Sequence, residues 1–398
     1  MPERRRAGLW IGGVVVGAAV AATAYFGLYT ARREASPAVA VAAGTSTDAA
    51  SLTSLAEGLR NSDPAVLGVV QERSVPRPNV PRKAISDQEA AEWLKVLDGL
   101  RAGFDKFSPP ARATAALVAG NVLEKFAVET APRSWIQALP PVHEILSASL
   151  ADPESNVRYI ALGELSKLWV WLPGCSLAEA EEDELAAWKQ GLHAPVLRCL
   201  AGSDLRSRIG AIACLGLLPR DILAAPAIPY LEDKDSVDVR RQTLVSFAHR
   251  PALLTEDLLL KRLHDEDETI RETVMVMLKA RGLNQEQIHL GSLMVSPLPQ
   301  QRASVINLIK GRTDIDPLVW LMQLSHDADE SVRVQSVSAL AAQSPPTIPI
   351  KRRLAEMARQ DQSKSVRDAA SKFVPDVNET TAALPPLPGS PSLNPKAN

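Results

Sequence analysis

Residues 263–282 read LHDEDETIRETVMVMLKARG, a stretch in which an acidic cluster precedes a helix-like pattern. The cluster runs from His264 to Glu268 and leads directly into Ile270, Arg271 and apolar residues at helical spacing. Such a cluster fits either a metal site or a turn followed by a capped helix. Structural turns recur along a chain, whereas a metal site needs converging ligands, so recurrence distinguishes the two interpretations.

The pattern recurs. Related segments centre on eight arginines, which are Arg112, Arg158, Arg208, Arg240, Arg271, Arg302, Arg333 and Arg367. Four successive gaps between them are 32, 31, 31 and 31 residues. A fixed period in this range is typical of a repeat architecture. The acidic cluster is therefore interpreted as a turn and a helix cap, and the sequence predicts no metal site and no cofactor.

Each repeat follows one plan. An apolar helix comes first, as from Leu253 to Leu263 or in Pro317 to Leu324, where Asp316 is a good N-cap. A polar turn follows, and then a second helix with apolar or small residues three and seven positions after the arginine. Aromatic residues make up only 4% of the chain, which favours helices over strands. The predicted fold class is all-α.

This two-helix unit, with its polar turn and Val-Arg motif, resembles the HEAT repeat. The resemblance extends over residues 86–376 and implies a right-handed α-solenoid of helical hairpins, with a predicted domain at 85–376. In that family an aspartate six positions before the arginine contacts the arginine of a neighbouring repeat. The ladder residues that the resemblance implies are Asp152, Arg158, Arg240, Asp265, Arg271, Asp327, Arg333, Asp361 and Arg367.

Three units depart from the ladder pattern. The units of Arg208 and Arg302 have Gly202 and Ser296 where the aspartate is expected. In the unit of Arg240 the aspartates stand seven and five positions before the arginine, as if the turn were one residue longer. The ladder is in question at these three steps.

The N-terminal region predicts a membrane anchor. Residues 7–31 contain no charged side chain, and about 20 helical residues suffice to cross a bilayer. Three arginines precede this segment and two follow it, which favours residues 1–6 in the cytoplasm and the bulk of the chain outside the cell membrane. A cleaved signal peptide, with Ala38-Val39-Ala40 as its small-residue site, is the alternative.

The remaining boundaries follow from composition. We predict a flexible tether at 32–51, a short helical segment with a proline-rich joint at 52–84, and a disordered proline-rich tail at 377–398. Gly8 and Gly12 have the spacing of a helix-dimer contact, so a homodimer through the span stays open, although glycine is common in such spans anyway.

Two sets of residues are candidates for partner binding. Basic side chains recur eight to ten residues beyond the key arginines, where stacking would gather them along one edge. The members of this predicted stripe are Lys167, His249, Arg250, Lys279, Arg281, Lys310 and Arg312. They suit an acidic partner, or they offset the negative ends of helix dipoles. The second set, Trp169 and Trp171, suits either a binding hot spot or core packing.

Composition and motifs narrow the function. The 44 basic and 46 acidic residues nearly balance, so no nucleic acid partner is expected. The chain has no phosphate-binding loop, no His-Glu-x-x-His, no Gly-x-Ser-x-Gly and no Cys-x-x-Cys, and we expect no catalysis. The sequence predicts a membrane-anchored scaffold or adaptor for a protein partner. A HEAT-like lyase or other enzyme acting on a protein-bound ligand, and a structural spacer of the cell envelope, remain the alternatives.

Overall fold

The computed structural model describes residues 51–75, 86–129, 132–171, 179–312 and 314–374. Within these ranges the regular elements are all helices, as the all-α prediction requires. The predicted span at 7–31 and the predicted tail at 377–398 lie outside the described residues. Across the described ranges, none of the helices combines the length and apolar character that crossing a bilayer demands.

The chain divides into two compact units after Thr255. Unit 1, up to Thr255, contains α1 (Leu52–Arg60), α2 (Pro64–Ser74), α3 (Asp87–Gly103), α4 (Pro109–Glu129), α5 (Pro132–Leu150), α6 (Ser155–Trp171), α7 (Glu179–Ala201), α8 (Leu205–Gly216), α9 (Asp221–Ala224) and α10 (Val237–Phe247), with 3₁₀ turns at Phe104–Lys106 and Ala225–Glu232. Unit 2, from Glu256, contains α11 (Glu256–Arg262), α12 (Glu268–Ala280), α13 (Gln285–Met294), α14 (Pro299–Ile309), α15 (Pro317–Leu324), α16 (Glu330–Ala341), α17 (Ile348–Gln360) and α18 (Lys364–Ser371).

Unit 1 is a stack of helical hairpins in two layers. Helices α1, α3, α5 and α7 pack in series as one layer, and α2, α4, α6, α8 and α10 as the other. Large buried side chains such as Phe126, Leu162 and Leu165 fill the seams between the helices. Each hairpin buries its apolar faces only against its neighbours, which is the physical basis of a repeat array.

The stack begins earlier than the predicted start at residue 85, because α1 and α2 form its first hairpin. Leu55 and Leu59 of α1 are buried, and α1 packs closely on α3. The main-chain oxygen of Ala56 lies 2.6 Å from where a Cβ at Gly99 would stand, so only glycine permits this approach. The segment 52–74 lacks the Val-Arg motif, and the sequence therefore did not predict it as a repeat.

The long interval between Arg158 and Arg208 contains an acidic segment from Leu177 to Gln190. An insertion in a repeat array commonly forms a loop or an extra helix at one edge. Instead, residues from Glu179 onward continue without a break to Ala201 as the single helix α7. The added turns therefore lengthen the first helix of a hairpin.

In unit 2, α14, α16 and α18 pack side by side. Their shared apolar core includes Val305, Val332 and Leu340, and among the described residues it takes no side chain from α12. The buried side chains of α12 are Ile270 and Val274, together with Leu278, and α12 packs mainly against α11. The arginine-bearing helices α12 and α14 therefore pack less closely against each other than α14 and α16 do.

Helix starts follow the capping signals of the sequence. Asp316 accepts a hydrogen bond from the main chain of Leu318, and α15 has the predicted bounds Pro317–Leu324. Ser86 caps α3 by accepting from the main-chain nitrogen of Glu89 at 3.1 Å. These side chains satisfy main-chain N–H groups that have no partner inside the helix.

Candidate functional site: a groove at Arg271

The ladder arginines share one geometry, which is clearest at Arg333. Its Nη1 donates to the main-chain oxygen of Asp327 in its own turn at 2.8 Å. Its Nε and Nη2 each donate to a different carboxylate oxygen of Asp361, in the next repeat, at 2.9 Å. Arg302 binds Asp327 in the same manner, at 2.7 and 2.8 Å. One arginine therefore ties two successive turns together with opposite edges of its guanidinium group.

The ladder also runs through unit 1, including two of the steps that the sequence left in question. Arg112 holds both carboxylate oxygens of Asp152, at 2.5 and 3.1 Å. Where Gly202 replaces the aspartate, Asp204 supplies the carboxylate and lies 3.4 Å from Nη2 of Arg158.

In the longer turn before Arg240, Asp233 lies 3.1 Å from Nη1 of Arg208. Asp233 is seven positions before Arg240, and its main-chain oxygen accepts from Nη1 of that arginine at 2.9 Å. An acidic side chain near the expected position is therefore sufficient, because the turn adjusts to it.

Arg271 lacks a carboxylate partner, as does Arg367 in the last repeat, whose side chain donates only to main-chain oxygens within the described residues. The Nη1 of Arg271 donates to the main-chain oxygens of Asp265 and Glu266, both at 2.8 Å, as in the other repeats. Unlike Arg367, Arg271 is followed by a further repeat. Among the described residues, no carboxylate pairs with its Nε–Nη2 edge. The equivalent position of the next turn is Ser296, whose neutral side chain is too short to replace an aspartate.

Ser296 retains only half of the aspartate's role. Its Oγ accepts from the main-chain nitrogen of Leu298 at 3.1 Å, two residues on. Asp327 does the same for the nitrogen of Asp329 at 2.8 Å. The turn is thus capped in both repeats, but the ion pair to the preceding arginine is lost where serine stands.

A groove of about 620 Å³ lies beside this interrupted step. Arg271, Met275 and Val276 of α12 line one wall, and Ile288 and His289 of α13 line the other. Val276 is 67% exposed, so its apolar surface lies open to solvent in the groove. The groove has the size of a site for a few side chains of a bound peptide.

The groove carries mixed charge. Glu268 and Glu272 of α12 also line it, and both are exposed. Neither forms an ion pair within the described residues. One guanidinium, two carboxylates and an apolar wall therefore face the same space.

The opening acidic cluster has a structural role, as interpreted from its recurrence. Asp265 accepts from the main-chain nitrogen of Asp267 at 3.0 Å, and Asp267 caps α12 by accepting from that of Ile270 at 3.0 Å. His264 Nε2 lies 2.8 Å from the main-chain oxygen of Ser292. In the part of the chain that the structure describes, no three His, Cys, Asp or Glu side chains converge as metal ligands.

The predicted basic stripe separates into different environments. Arg250 is held inside unit 1, where it donates to the main-chain oxygen of Leu218 and lies 3.3 Å from Asp221. Arg312 pairs with Asp314, at 2.9 Å from Nε, and with Glu286. The hydrogen bond to Asp314, which outweighs desolvation, raises the pKa of Arg312. Both cations are largely neutralised by the chain itself.

Other members of the stripe remain accessible. Lys279 and Lys310 are exposed, and neither forms an ion pair within the described residues. His249 is exposed as well. Arg281 is half-buried, and burial lowers its pKa more than Glu256 raises it.

Lys167 is not a surface residue. It lies in a buried network, where its Nζ is 2.5 Å from Glu164, 3.1 Å from Glu124 and 3.0 Å from Asn121. Only 6% of the Lys167 side chain is exposed, so it is not available to a partner. The offset from the arginine does not explain this difference, because His249 stands nine residues after Arg240, as Lys167 does after Arg158, and His249 is exposed.

The tryptophan prediction is also corrected in part. Trp169 is 3% exposed and packs in the core of unit 1, so it is not an exposed hot spot. The Trp171 side chain lies outside the described residues. Trp188 is buried too, and its indole nitrogen donates to the main-chain oxygen of Leu139 at 3.0 Å, which holds α7 against α5.

Comparisons place the chain beside helical repeat proteins without showing a family. No protein-family model and no curated protein matches it. A designed armadillo repeat protein in complex with the peptide (KR)4 aligns at 13% identity over 73% of this chain and 98% of its own, with a TM-score of 0.32. Kap121p bound to Pho4p aligns at 13% identity over 81% of this chain and 41% of its own, with a TM-score of 0.35.

The third structure concerns tubulin recruitment and assembly by microtubule polymerases with Tumor Overexpressed Gene (TOG) domain arrays. It aligns at 15% identity over 80% of this chain and 77% of its own, with a TM-score of 0.34. The stacked helical hairpins are defined by the helix contacts of this chain itself.

Proposed function

We propose that this protein is a membrane-anchored scaffold that binds a protein partner through unit 2 and performs no catalysis. The observation that carries the proposal is the groove beside Arg271, between α12 and α13. Apolar side chains, a guanidinium and two carboxylates are exposed there together. Such a combination suits a peptide segment, which offers apolar, acidic and basic groups at once.

The polar network around Lys167 is buried, which favours a binding role for the protein over a catalytic one. The network around Lys167 is enclosed, with Glu164 4% and Asn121 0% exposed. A substrate cannot reach these groups without separation of α4 from α6. Lys279 and Lys310, which are exposed, add positive charge that an acidic partner surface would meet.

The anchor is assigned to residues 7–31, with the N-terminus in the cytoplasm and both units outside. This part of the proposal rests on the 25 uncharged residues and on the arginines that flank them. The protein would then bind its partner at the outer surface of the cell membrane.

The groove is tested by site-specific photo-crosslinking in the full-length protein in its own cells. A benzoylphenylalanine at Val276, in the groove, is compared with one at Ile348, which is 76% exposed on α17. We expect a discrete adduct from position 276 and none of the same size from 348. No adduct from 276, or the same adducts from both positions, would contradict binding in the groove.

The anchor is tested separately. Alkaline carbonate should leave the full-length chain in the membrane pellet and release a variant that lacks residues 7–31. A cysteine-reactive reagent that does not cross membranes should label Lys279→Cys on intact cells in a background without the native cysteines. Release of the full-length chain would contradict the anchor, and labelling only after lysis would contradict the orientation.

A further inference from the structure

We infer that the groove binds a single carboxylate of the partner, an aspartate or glutamate side chain, on the Nε–Nη2 edge of Arg271. This inference rests on the proposed function and specifies its chemistry. The partner's carboxylate would take the position that Asp361 takes beside Arg333, so the partner completes the ladder at the step where this chain has Ser296.

The guanidinium of Arg271 is already oriented for this contact. In Arg333, Nη1 is held by the main-chain oxygen of its own turn at 2.8 Å, and the opposite edge grips the carboxylate. In Arg271, Nη1 is held by two main-chain oxygens at the same distance. A guanidinium fixed before binding loses little side-chain freedom when a carboxylate arrives, and a two-point contact selects its planar shape.

Ser296 places no carboxylate at this position. Its hydroxyl lies 2.6 Å from Oε1 of Gln301 and also accepts from its own turn. The hydroxyl is therefore committed to α14 and its turn. In four other turns the equivalent residue is an aspartate, at 152, 265, 327 and 361. Where Gly202 stands in that position, Asp204 supplies the carboxylate instead, whereas among the described residues none does so at the Ser296 step.

The surrounding charges specify the ligand further. Glu268 and Glu272 repel a polyanion, so the groove disfavours a phosphate or nucleic acid backbone. A peptide with one carboxylate satisfies Arg271, and a basic residue next to that carboxylate would pair with the two glutamates. Met275 and Ile288 offer apolar surface for a neighbouring side chain. We therefore expect a segment with an acidic, an apolar and a basic residue close together.

The test uses a defined probe, a library of random nonapeptides panned against the detergent-solubilised full-length protein. Peptides are kept when Val276→Asp abolishes their binding, and each is then resynthesised with Asn or Gln in place of its acidic residue. Loss of the charged, two-point contact should weaken binding at least about tenfold. The inference would be overturned if the kept peptides contained no acidic residue, or if replacing that residue with Asn or Gln did not weaken their binding.

Ser296→Asp is the decisive variant, because the new aspartate should pair with Arg271 and complete the ladder within this chain. We expect it to raise the urea midpoint of unfolding and to weaken the kept peptides at least about tenfold. Gln300→Asp adds the same charge at an exposed position of α14 and should leave binding unchanged. If Ser296→Asp raises the midpoint but binds the kept peptides like the wild type, the inference about the carboxylate fails, while the proposal that the groove binds a partner is not contradicted.

Arg271→Gln covers the remaining case, in which Ser296→Asp does not raise the midpoint. It should abolish the preference for the acidic peptide over its amide form, and an unchanged preference would overturn the inference. If panning yields no peptide that Val276→Asp displaces, the proposed function itself is contradicted. The two failures are therefore distinguishable.

Discussion

Arg333 and Asp361 belong to successive repeats, yet both carboxylate oxygens of the aspartate lie 2.9 Å from nitrogens of the arginine. Burial by itself raises the pKa of Asp361, but hydrogen bonds from Arg333 and from the main chain of Ser363 outweigh it. The pKa of Asp361 therefore ends below its ordinary value. The same hydrogen bond, set against desolvation, raises the pKa of Arg333.

This pair predicts a pH-dependent effect of Asp361→Asn. Because the folded-state pKa is depressed, the pair's contribution is complete above the unfolded-state pKa of about 4 and is lost as pH falls through the lower folded value. We expect the variant to lose about 2 kcal/mol of unfolding free energy at pH 7 and less as the pH falls below 4. Urea unfolding followed by helical circular dichroism measures this.

The matched control for that experiment is Asp368→Asn on the same C-terminal hairpin. Asp368 is exposed, and its side chain forms no ion pair within the described residues. Its substitution should change stability by less than about 0.5 kcal/mol at either pH. A loss at Asp361 that is equal at pH 7 and pH 3 would contradict the linkage.

Lys167→Met should strongly destabilise unit 1. The substitution leaves the carboxylates of Glu124 and Glu164 buried without their ammonium partner, at a cost of about 3–5 kcal/mol. Lys279→Met removes an exposed charge and should cost less than about 0.5 kcal/mol. Adding Glu164→Gln to Lys167→Met should recover part of the loss. Equal effects of the two lysine substitutions would show that the buried network does not contribute.

Two glycines beside this network should respond in opposite directions to alanine. A Cβ at Gly120 would stand 2.2 Å from Oε2 of Glu164, so Gly120→Ala must displace that carboxylate from Lys167. We expect a loss of about 1–3 kcal/mol. At Gly163 the added Cβ has no neighbour within 4 Å, and Gly163→Ala should stabilise α6 by about 0.5–1 kcal/mol. Thermal unfolding of the two variants compares the signs, and a stabilising Gly120→Ala would contradict the close contact.

The thiol of Cys214 should be inert in the folded protein. Complete burial raises its pKa to about 12, against a smaller opposing hydrogen bond with Ser166. Burial also raises the pKa of Cys199. Because the thiolate is the reactive form, iodoacetamide at pH 8 should modify neither residue until the chain unfolds. Mass spectrometry in a Cys175→Ser background tests this, and rapid labelling of Cys214 before unfolding would contradict its burial.

Much of the fold was predictable because its signals are local. A helix starts where a capping side chain precedes an apolar stripe, so Asp316 and the pattern after it predicted α15 with its observed bounds. The recurrence of the arginine with its acidic turn predicted two-helix repeats. The departure at Ser296 was visible in the sequence, but the groove beside Arg271 was not predicted from it.

What lay beyond the sequence depends on helices that are distant along the chain. Lys167 and Lys279 both follow a repeat arginine by nearly the same number of residues, but only Lys167 meets Glu124 and Asn121, more than 40 positions earlier. The groove likewise depends on helix packing, because it lies between α12 and α13, while α12 packs mainly on α11. The residue spacing determined which side chains share a helix face, and the packing of neighbouring helices decided which of those faces are buried and which stay open to a partner.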